Sequence, residues 1–427
     1  MKKLALSLYI IMLSLTACAS TNENIADNQA YQNYLQWLDK LKIEMVEKGI
    51  SAATIDRVYG QNDFYHAKPM AVVRDRQQTE FVLTTSAYLN RVVNATRVSQ
   101  AQAKYREKRT LLSKIEKKYD LPGQYIVAFW GVETNFGQNF GGYNVIDALT
   151  EMSYDQRRSE FFKKELYNAL KIIEDHDIDF QKMHSSWAGA MGHFQFMPST
   201  YNAYAVDFDN DGVADIWENF GDAAASAANY LTTIGWDKDI PWGWEVKLPW
   251  NFNYNLSGRH NFRSLDEWKK LGLTGVNIKL SDIKGTIKAA LITPEGAKGR
   301  AYLVTENFLK IMHWNRSENY ALAIGLLSDY VINNKKWHKI ERSALQNLKT
   351  DDVKKIQSFI NRNGIAQLSE DGQLGSKTKE AIKLLQKRFL LNPDGHPDTN
   401  LLQKIDNFDP AKGFVIPVPE RKLHKPK

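Results

Sequence analysis

Gly131-Val132-Glu133-Thr134-Asn135-Phe136-Gly137 closes a stretch of helical periodicity and sets a single carboxylate on its apolar side. Asp120 reads as an N-cap and Pro122 falls in the first turn, which predicts a helix from Leu121 to Phe136. Ile126, Phe129 and Trp130 repeat along one side, and Glu133 follows them by seven, four and three residues. A carboxyl group held against Phe and Trp loses hydration, which disfavours its charged form and raises its pKa. Such a group can donate its proton to a leaving oxygen near neutral pH. A structural Glu that hydrogen-bonds a neighbouring helix fits the same spacing, so spacing alone leaves both readings open.

A second stretch, Ser185 to Thr200 (SSWAGAMGHFQFMPST), has glycines and small residues where a backbone must approach something closely. Ser186 and Gln195 stand among aromatics, as on a groove floor with a few orienting polar groups. Pro198-Ser199-Thr200 can open the next helix. Tight helix–helix packing is the competing account of the glycines.

Together the two stretches resemble the membrane-bound lytic murein transglycosylase B family of the lysozyme-like superfamily, over residues 31–335. The resemblance implies a mainly α fold, α+β and lysozyme-like, with a helical catalytic core. It implies that Glu133 is the sole acid/base, acting on the bond between N-acetylmuramic acid and N-acetylglucosamine. Most glycosidases need a second carboxylate. In this family the sugar's 2-acetamido group supports the anomeric carbon, and its C6 hydroxyl closes a 1,6-anhydro ring. Asp147 is the other acid near the motif, and its helical surroundings leave cap, surface and catalytic roles open.

By the same resemblance Ser186 and Gln195 hold the acetamido group. Arg157 and Arg158 match an arginine pair suited to the carboxylates of peptidoglycan, although the chain is one residue shorter just before them. Tyr88, Tyr230 and Tyr320 match aromatic groove positions. Asn315 matches a polar contact near the acid, and Trp314 stands where the family often has Tyr.

From Asp207 to Glu218 the sequence DFDNDGVADIWE fits an EF-hand loop, with Asp207, Asp209, Asp211, Asp215 and Glu218 at acidic positions and Gly212 at the turn. Val213 would supply a backbone oxygen, and either Glu218 or Asp222 would close the site. One structural Ca2+ is expected, and no organic cofactor; an acidic turn without metal fits the same residues.

The N-terminus joins Lys2 and Lys3 to an apolar run from Leu4 to Leu15, a secretory signal too short to span a bilayer. Leu15-Thr16-Ala17-Cys18 resembles a lipobox and Cys18 is the single cysteine, so residues 1–17 are read as a signal peptide and Cys18 as the lipidated residue. Residues 18–30 form a polar tether. Ala19 follows Cys18 and no Asp does, which by the resemblance to bacterial lipoproteins implies the outer membrane as the destination, on the periplasmic side.

Residues 345–405 are read as a separate helical module. Val353, Ile356, Phe359 and Ile360 mark one amphipathic helix, and Ala381, Leu384 and Leu385 mark another. The turn at Asp371-Gly372 is echoed at Asp394-Gly395, which resembles the three-helix peptidoglycan-binding module. A tail from residue 406 to 427 follows. Residues 244–302 break the helical pattern and predict a small α+β insertion.

At 427 residues the chain is long enough for two or three domains. Its net charge of +7, or +5 without Lys2 and Lys3, suits a polyanionic partner. No nucleic-acid motif, phosphate-binding glycine loop or zinc set is present, so peptidoglycan strands are the expected partner of a monomer. A hydrolytic muramidase and a non-catalytic peptidoglycan-binding lipoprotein are the alternatives.

Overall fold

The computed structural model describes residues 28–66, 69–76, 84–176, 178–333, 337–340 and 348–414. The expected signal peptide, Cys18, most of the tether, the boundaries at 335 and 345 and the end of the tail lie outside these residues. The chain divides into two compact units, residues 1–78 with 133–230, and residues 79–132 with 231–427. Among the described residues no helix is long and apolar enough to cross a membrane.

The first unit is built on a helical hairpin, Val145–Tyr154 packed against Ser159–His176. Leu149, Leu166, Leu170 and Ile173 are fully buried between them. Each such side chain stabilises by about 1.5–3 kcal/mol. Asn144 caps the hairpin's first helix by accepting the Ile146 N–H at 2.9 Å. Pro198 opens the helix Pro198–Tyr204 as expected, and buried Glu165 accepts both the N–H and the hydroxyl of Ser199 at its start.

The helix bearing the acidic motif runs from Gly123 to Thr134, shorter at both ends than expected; residues 123–132 belong to the second unit, and Glu133 and Thr134 to the first. Asp120 is not its N-cap. It ends the preceding helix, Arg109–Tyr119, in a left-handed conformation (φ 53°) that Asp tolerates better than most residues. The vacant capping role falls to Glu116, whose carboxylate accepts the Gly123 N–H at 2.7 Å. The expected single apolar stripe is also corrected: every residue from Tyr125 to Gly131 is buried. A helix enclosed on all sides needs apolar residues on all sides, so the 126, 129, 130 spacing marks no special face.

The insertion is a five-stranded antiparallel sheet of β1 Gly243–Lys247, β2 Phe262–Ser264, β3 Thr274–Gly275, β4 Lys288–Ile292 and β5 Ala301–Val304, in the order β2-β4-β5-β1-β3. Ser264 and Glu267 form a reciprocal capping box on the short helix Leu265–Lys270. Trp268, Leu265, Leu291, Leu303, Phe252 and Tyr254 make its core.

Three helices, Thr350–Arg362, Ser376–Arg388 and Thr399–Asp406, form the C-terminal module around Ile356, Ile360, Ile382, Leu385 and Leu401. Its two Asp-Gly turns are built alike. Gln357 donates to Asp371 (2.9 Å) and accepts the Gly372 N–H (2.8 Å), while Gln386 donates to Asp394 and accepts the Gly395 N–H, both at 2.8 Å. The second turn faces the insertion: Asp394 accepts the Ala297 N–H at 2.9 Å, and Lys383 donates to the Ser257 carbonyl at 2.9 Å. Glu318 joins Arg259 and Lys379, each at 3.0 Å. Burial works against the Glu318 charge, but Lys379 and Arg259 outweigh it and hold the carboxyl below its ordinary range.

Candidate active site

Glu133 is half-buried one residue before its helix ends. Asn135, Phe136 and Gly137 then adopt left-handed conformations in succession, with φ of 51°, 61° and 79°. Two non-glycine residues in this region cost about 1–2 kcal/mol each, strain that persists only where surrounding contacts impose it. Those contacts centre on Thr134. Its hydroxyl donates to the His193 carbonyl at 2.8 Å and accepts the Gly137 N–H at 3.1 Å. Its carbonyl accepts the Asn139 N–H at 3.0 Å.

His193 belongs to the second motif, which forms a compact double turn. The Ser186 N–H donates to the Ala190 carbonyl at 2.9 Å, and Met191 and Phe196 exchange two backbone hydrogen bonds. Gly192 is required at its corner, because its φ is +64° and a Cβ there would lie 2.4 Å from the Ile216 carbonyl oxygen. Gln195 is itself left-handed (φ 52°), and its amide nitrogen donates to the carbonyls of Phe140 and Gly192, each at 3.2 Å. Both partners are acceptors, which fixes the amide orientation and leaves its oxygen for a ligand. Ser186 is complementary. Its hydroxyl oxygen accepts from the N–H groups of Ala188 (3.3 Å) and Ala190 (3.2 Å), leaving its hydrogen to donate. One donor and one acceptor in a single hairpin match the C=O and N–H of an acetamido group.

Arg157 and Arg158 both bind Asp75, which is 4 % exposed on the helix Met70–Arg76; the Arg158 contact is 3.4 Å. Arg158 also lies over the rings of Phe161 and Phe162 at 4.9 Å. The pair is therefore oriented by a buried carboxylate that sequence reading did not find. Asp147 lies in the first turn of Val145–Tyr154 and meets His66 at 2.5 Å, so it already has a partner. Tyr230 is half-buried against Tyr204, with ring centroids 4.8 Å apart.

The second unit gathers the rest. Trp314 stacks at a tilt on Phe129 (4.6 Å), and Tyr320 meets the same ring at 6.2 Å. Tyr320 is only 3 % exposed, so it is a packed residue rather than an open groove wall. Asn315 ends the helix Glu306–Trp314 and accepts the Ser317 N–H at 3.2 Å. Tyr88 is half-buried on Thr85–Val92.

Carboxylate oxygens of Asp207, Asp209 and Asp211 converge within 4.8 Å of one another. Asp222 is fully buried and accepts the N–H groups of Phe208 (2.8 Å) and Asp215 (3.0 Å). Burial raises its pKa, and Asp209 and Asp207 add to the rise. Glu218 is exposed, whereas Asp222 is buried and hydrogen-bonded to the loop backbone. The Val213 carbonyl accepts the Asp215 N–H at 3.0 Å. A crowded set of hard oxygen donors fits a divalent cation such as calcium. The loop also reaches the site: the Ile216 carbonyl accepts the His193 N–H at 3.0 Å.

A helical domain whose acid-bearing helix end is hydrogen-bonded to a hairpin of polar and aromatic residues is of the lysozyme-like class. The model of the transglycosylase SLT domain matches residues 33–329, and the chain belongs to that family. A peptidoglycan binding domain matches residues 349–405. The membrane-bound lytic murein transglycosylase B of Escherichia coli (strain K12) is 33 % identical over 222 residues, covering 52 % of this chain and 60 % of that protein. The structure of SltB3 from Pseudomonas aeruginosa in complex with NAG-anhNAM-pentapeptide has a TM-score of 0.82 at 37 % identity, over 88 % of this chain and 99 % of that one. The Escherichia coli lytic transglycosylase Slt35 in complex with calcium gives 0.59 at 27 % identity, over 69 % and 92 %.

Proposed function

We propose that this chain is a peptidoglycan lytic transglycosylase that cleaves the β-1,4 bond after N-acetylmuramic acid and leaves a 1,6-anhydro end. The observation that carries this reading is the Thr134–His193 hydrogen bond, which joins the end of the Glu133 helix to the Ser186–Gln195 hairpin. Protonated Glu133 gives its proton to the glycosidic oxygen as the bond to the anomeric carbon breaks. The acetamido oxygen, oriented by Ser186 and Gln195, bonds to that carbon. The Glu133 carboxylate then removes the C6 hydroxyl proton, O6 displaces the acetamido oxygen, and the acid is restored. No water is consumed. The pairing of Asp147 with His66 supports a mechanism with one carboxylate. The SltB3 complex with an anhydro-muramyl peptide supports the product.

Arg157 and Arg158 contact lactyl or stem carboxylates, while Tyr88, Tyr230, Trp314 and Asn315 shape the sugar sites and Tyr320 packs behind Phe129. Calcium held by Asp207, Asp209, Asp211, Val213 and Asp222 stiffens the loop behind His193; the calcium complex of Slt35 supports this. Lipidation at Cys18 anchors the enzyme on the periplasmic side of the outer membrane, in line with the membrane-bound relative. Digesting purified sacculi and weighing the products is the test. Anhydro-muropeptides are expected; products heavier by one water would make the enzyme a hydrolase, and no release would leave only a wall-binding protein.

A further inference from the structure

The insertion carries a feature that its core does not explain. Trp250 is 97 % exposed, although tryptophan is strongly buried on average. The segment Trp250-Asn251-Phe252-Asn253-Tyr254-Asn255 alternates aromatic and amide residues. Phe252 (8 % exposed) and Tyr254 (7 %) point into the sheet core with their rings edge to face at 5.3 Å. Asn251, Asn253 and Asn255 are exposed, and Asn253 Oδ1 accepts the Asn255 N–H at 3.0 Å and its side-chain amide at 2.8 Å, which fixes the orientation of those two amides. By parity Trp250 should turn inward with the other aromatics. It does not, because the Phe252 N–H donates to the Pro249 carbonyl at 3.1 Å and closes a turn with Trp250 and Asn251 at its corners. The turn is firmly based: a Cβ at Gly272 would already meet Pro249 at 3.4 Å, and Phe252 is locked in the core. Lys247, three residues before Trp250, and Lys270, two residues before Gly272, are exposed.

We propose that this turn is a glycan-contact site separate from the Glu133 site, in which a sugar ring of peptidoglycan lies on the indole face of Trp250. The identity of the ligand rests on the reading of the chain as a peptidoglycan enzyme. A pyranose ring offers an apolar C–H face to the indole, hydroxyl and acetamido groups to the asparagine amides, and lactyl or stem carboxylates to the lysines. Tryptophan with lysine also suits an anionic membrane surface, but three outward amides serve a hydrogen-bonding ligand and not a lipid tail. The site adds contact area for long strands and takes no part in bond cleavage.

The test measures retention of the full chain on purified sacculi in a non-cleaving Glu133→Gln background, with and without Trp250→Ala, beside retention on anionic phosphatidylglycerol vesicles. Activity of Trp250→Ala alone is measured on a muropeptide tetrasaccharide. Trp250→Ala is expected to weaken sacculus retention about three- to tenfold, with Trp250→Phe recovering most of it and tetrasaccharide turnover and melting temperature unchanged. Equal retention by both forms would overturn the proposal. So would a loss confined to vesicles, or a parallel fall in tetrasaccharide turnover. Retention does not need cleavage, so an inactive wild type would count against the transglycosylase reading and not against this site.

Discussion

The hydroxyl of Thr134 and the backbone carbonyl of His193 are 2.8 Å apart, and this hydrogen bond ties the acid-bearing helix end to the hairpin of Gln195. Thr134→Val would leave the His193 carbonyl and the Gly137 N–H without that partner, a loss of about 1–3 kcal/mol. Thermal melting should register this, and activity well below the melting temperature should fall further because the acid and hairpin lose register. Thr134→Ser should keep both properties near wild type.

Asp75 is expected to act through Arg157 and Arg158. Asp75→Asn should raise KM about tenfold on peptide-bearing glycan, with little change in kcat and little change on strands stripped of stem peptides. Steady-state kinetics on the two substrates separates this from a general loss of stability, which would lower both rates together. Asp75→Glu should recover part of the effect.

Calcium removal is expected to be visible in both stability and activity, since the acidic loop supports His193 through Ile216. At a calcium concentration about a hundredfold above Kd, EDTA should lower the melting temperature by about 5–10 °C. Asp222→Asn should abolish most of that shift and Glu218→Gln should preserve it, if the buried Asp222 that holds the Phe208 and Asp215 N–H groups is the closing ligand proposed above. An equal loss in both variants would contradict the assignment.

His396 sets an acid limit on the docked C-terminal module. Burial lowers its pKa, Lys379 acts in the same direction, and Asp394, Glu295 and the Pro294 backbone oppose them. The folded state therefore binds fewer protons than the unfolded chain, whose histidine titrates at 6.5. The contribution of the neutral ring is complete above that pH and is lost as pH falls through the lower folded value, at up to about 1.4 kcal/mol per pH unit. Melting curves from pH 7.5 to 5 should show a decline that His396→Gln flattens.

The helical class, the α+β insertion and the three-helix module were legible because each rests on local pattern: periodicity, its interruption, and a doubled Asp-Gly turn. Asp120 misled because a residue suited to an N-cap also tolerates the left-handed conformation that ends a helix. The supposed stripe through Ile126 and Phe129 failed because an enclosed helix has no polar face to contrast with. Asp75 left no signal, since its partners lie some eighty residues away and only tertiary folding joins them. Trp250 was hidden by an alternation that one turn interrupts. Spacing left Glu218 and Asp222 level because it does not record that Asp222 is buried and Glu218 exposed.

Replacement of the acid itself is the most direct measurement. Glu133→Gln keeps size and hydrogen bonding but has no proton to give, so anhydro-muropeptide release from sacculi should fall about 100- to 10,000-fold, with melting temperature and sacculus retention unchanged. Release within a few-fold of wild type would mean that another group protonates the glycosidic oxygen.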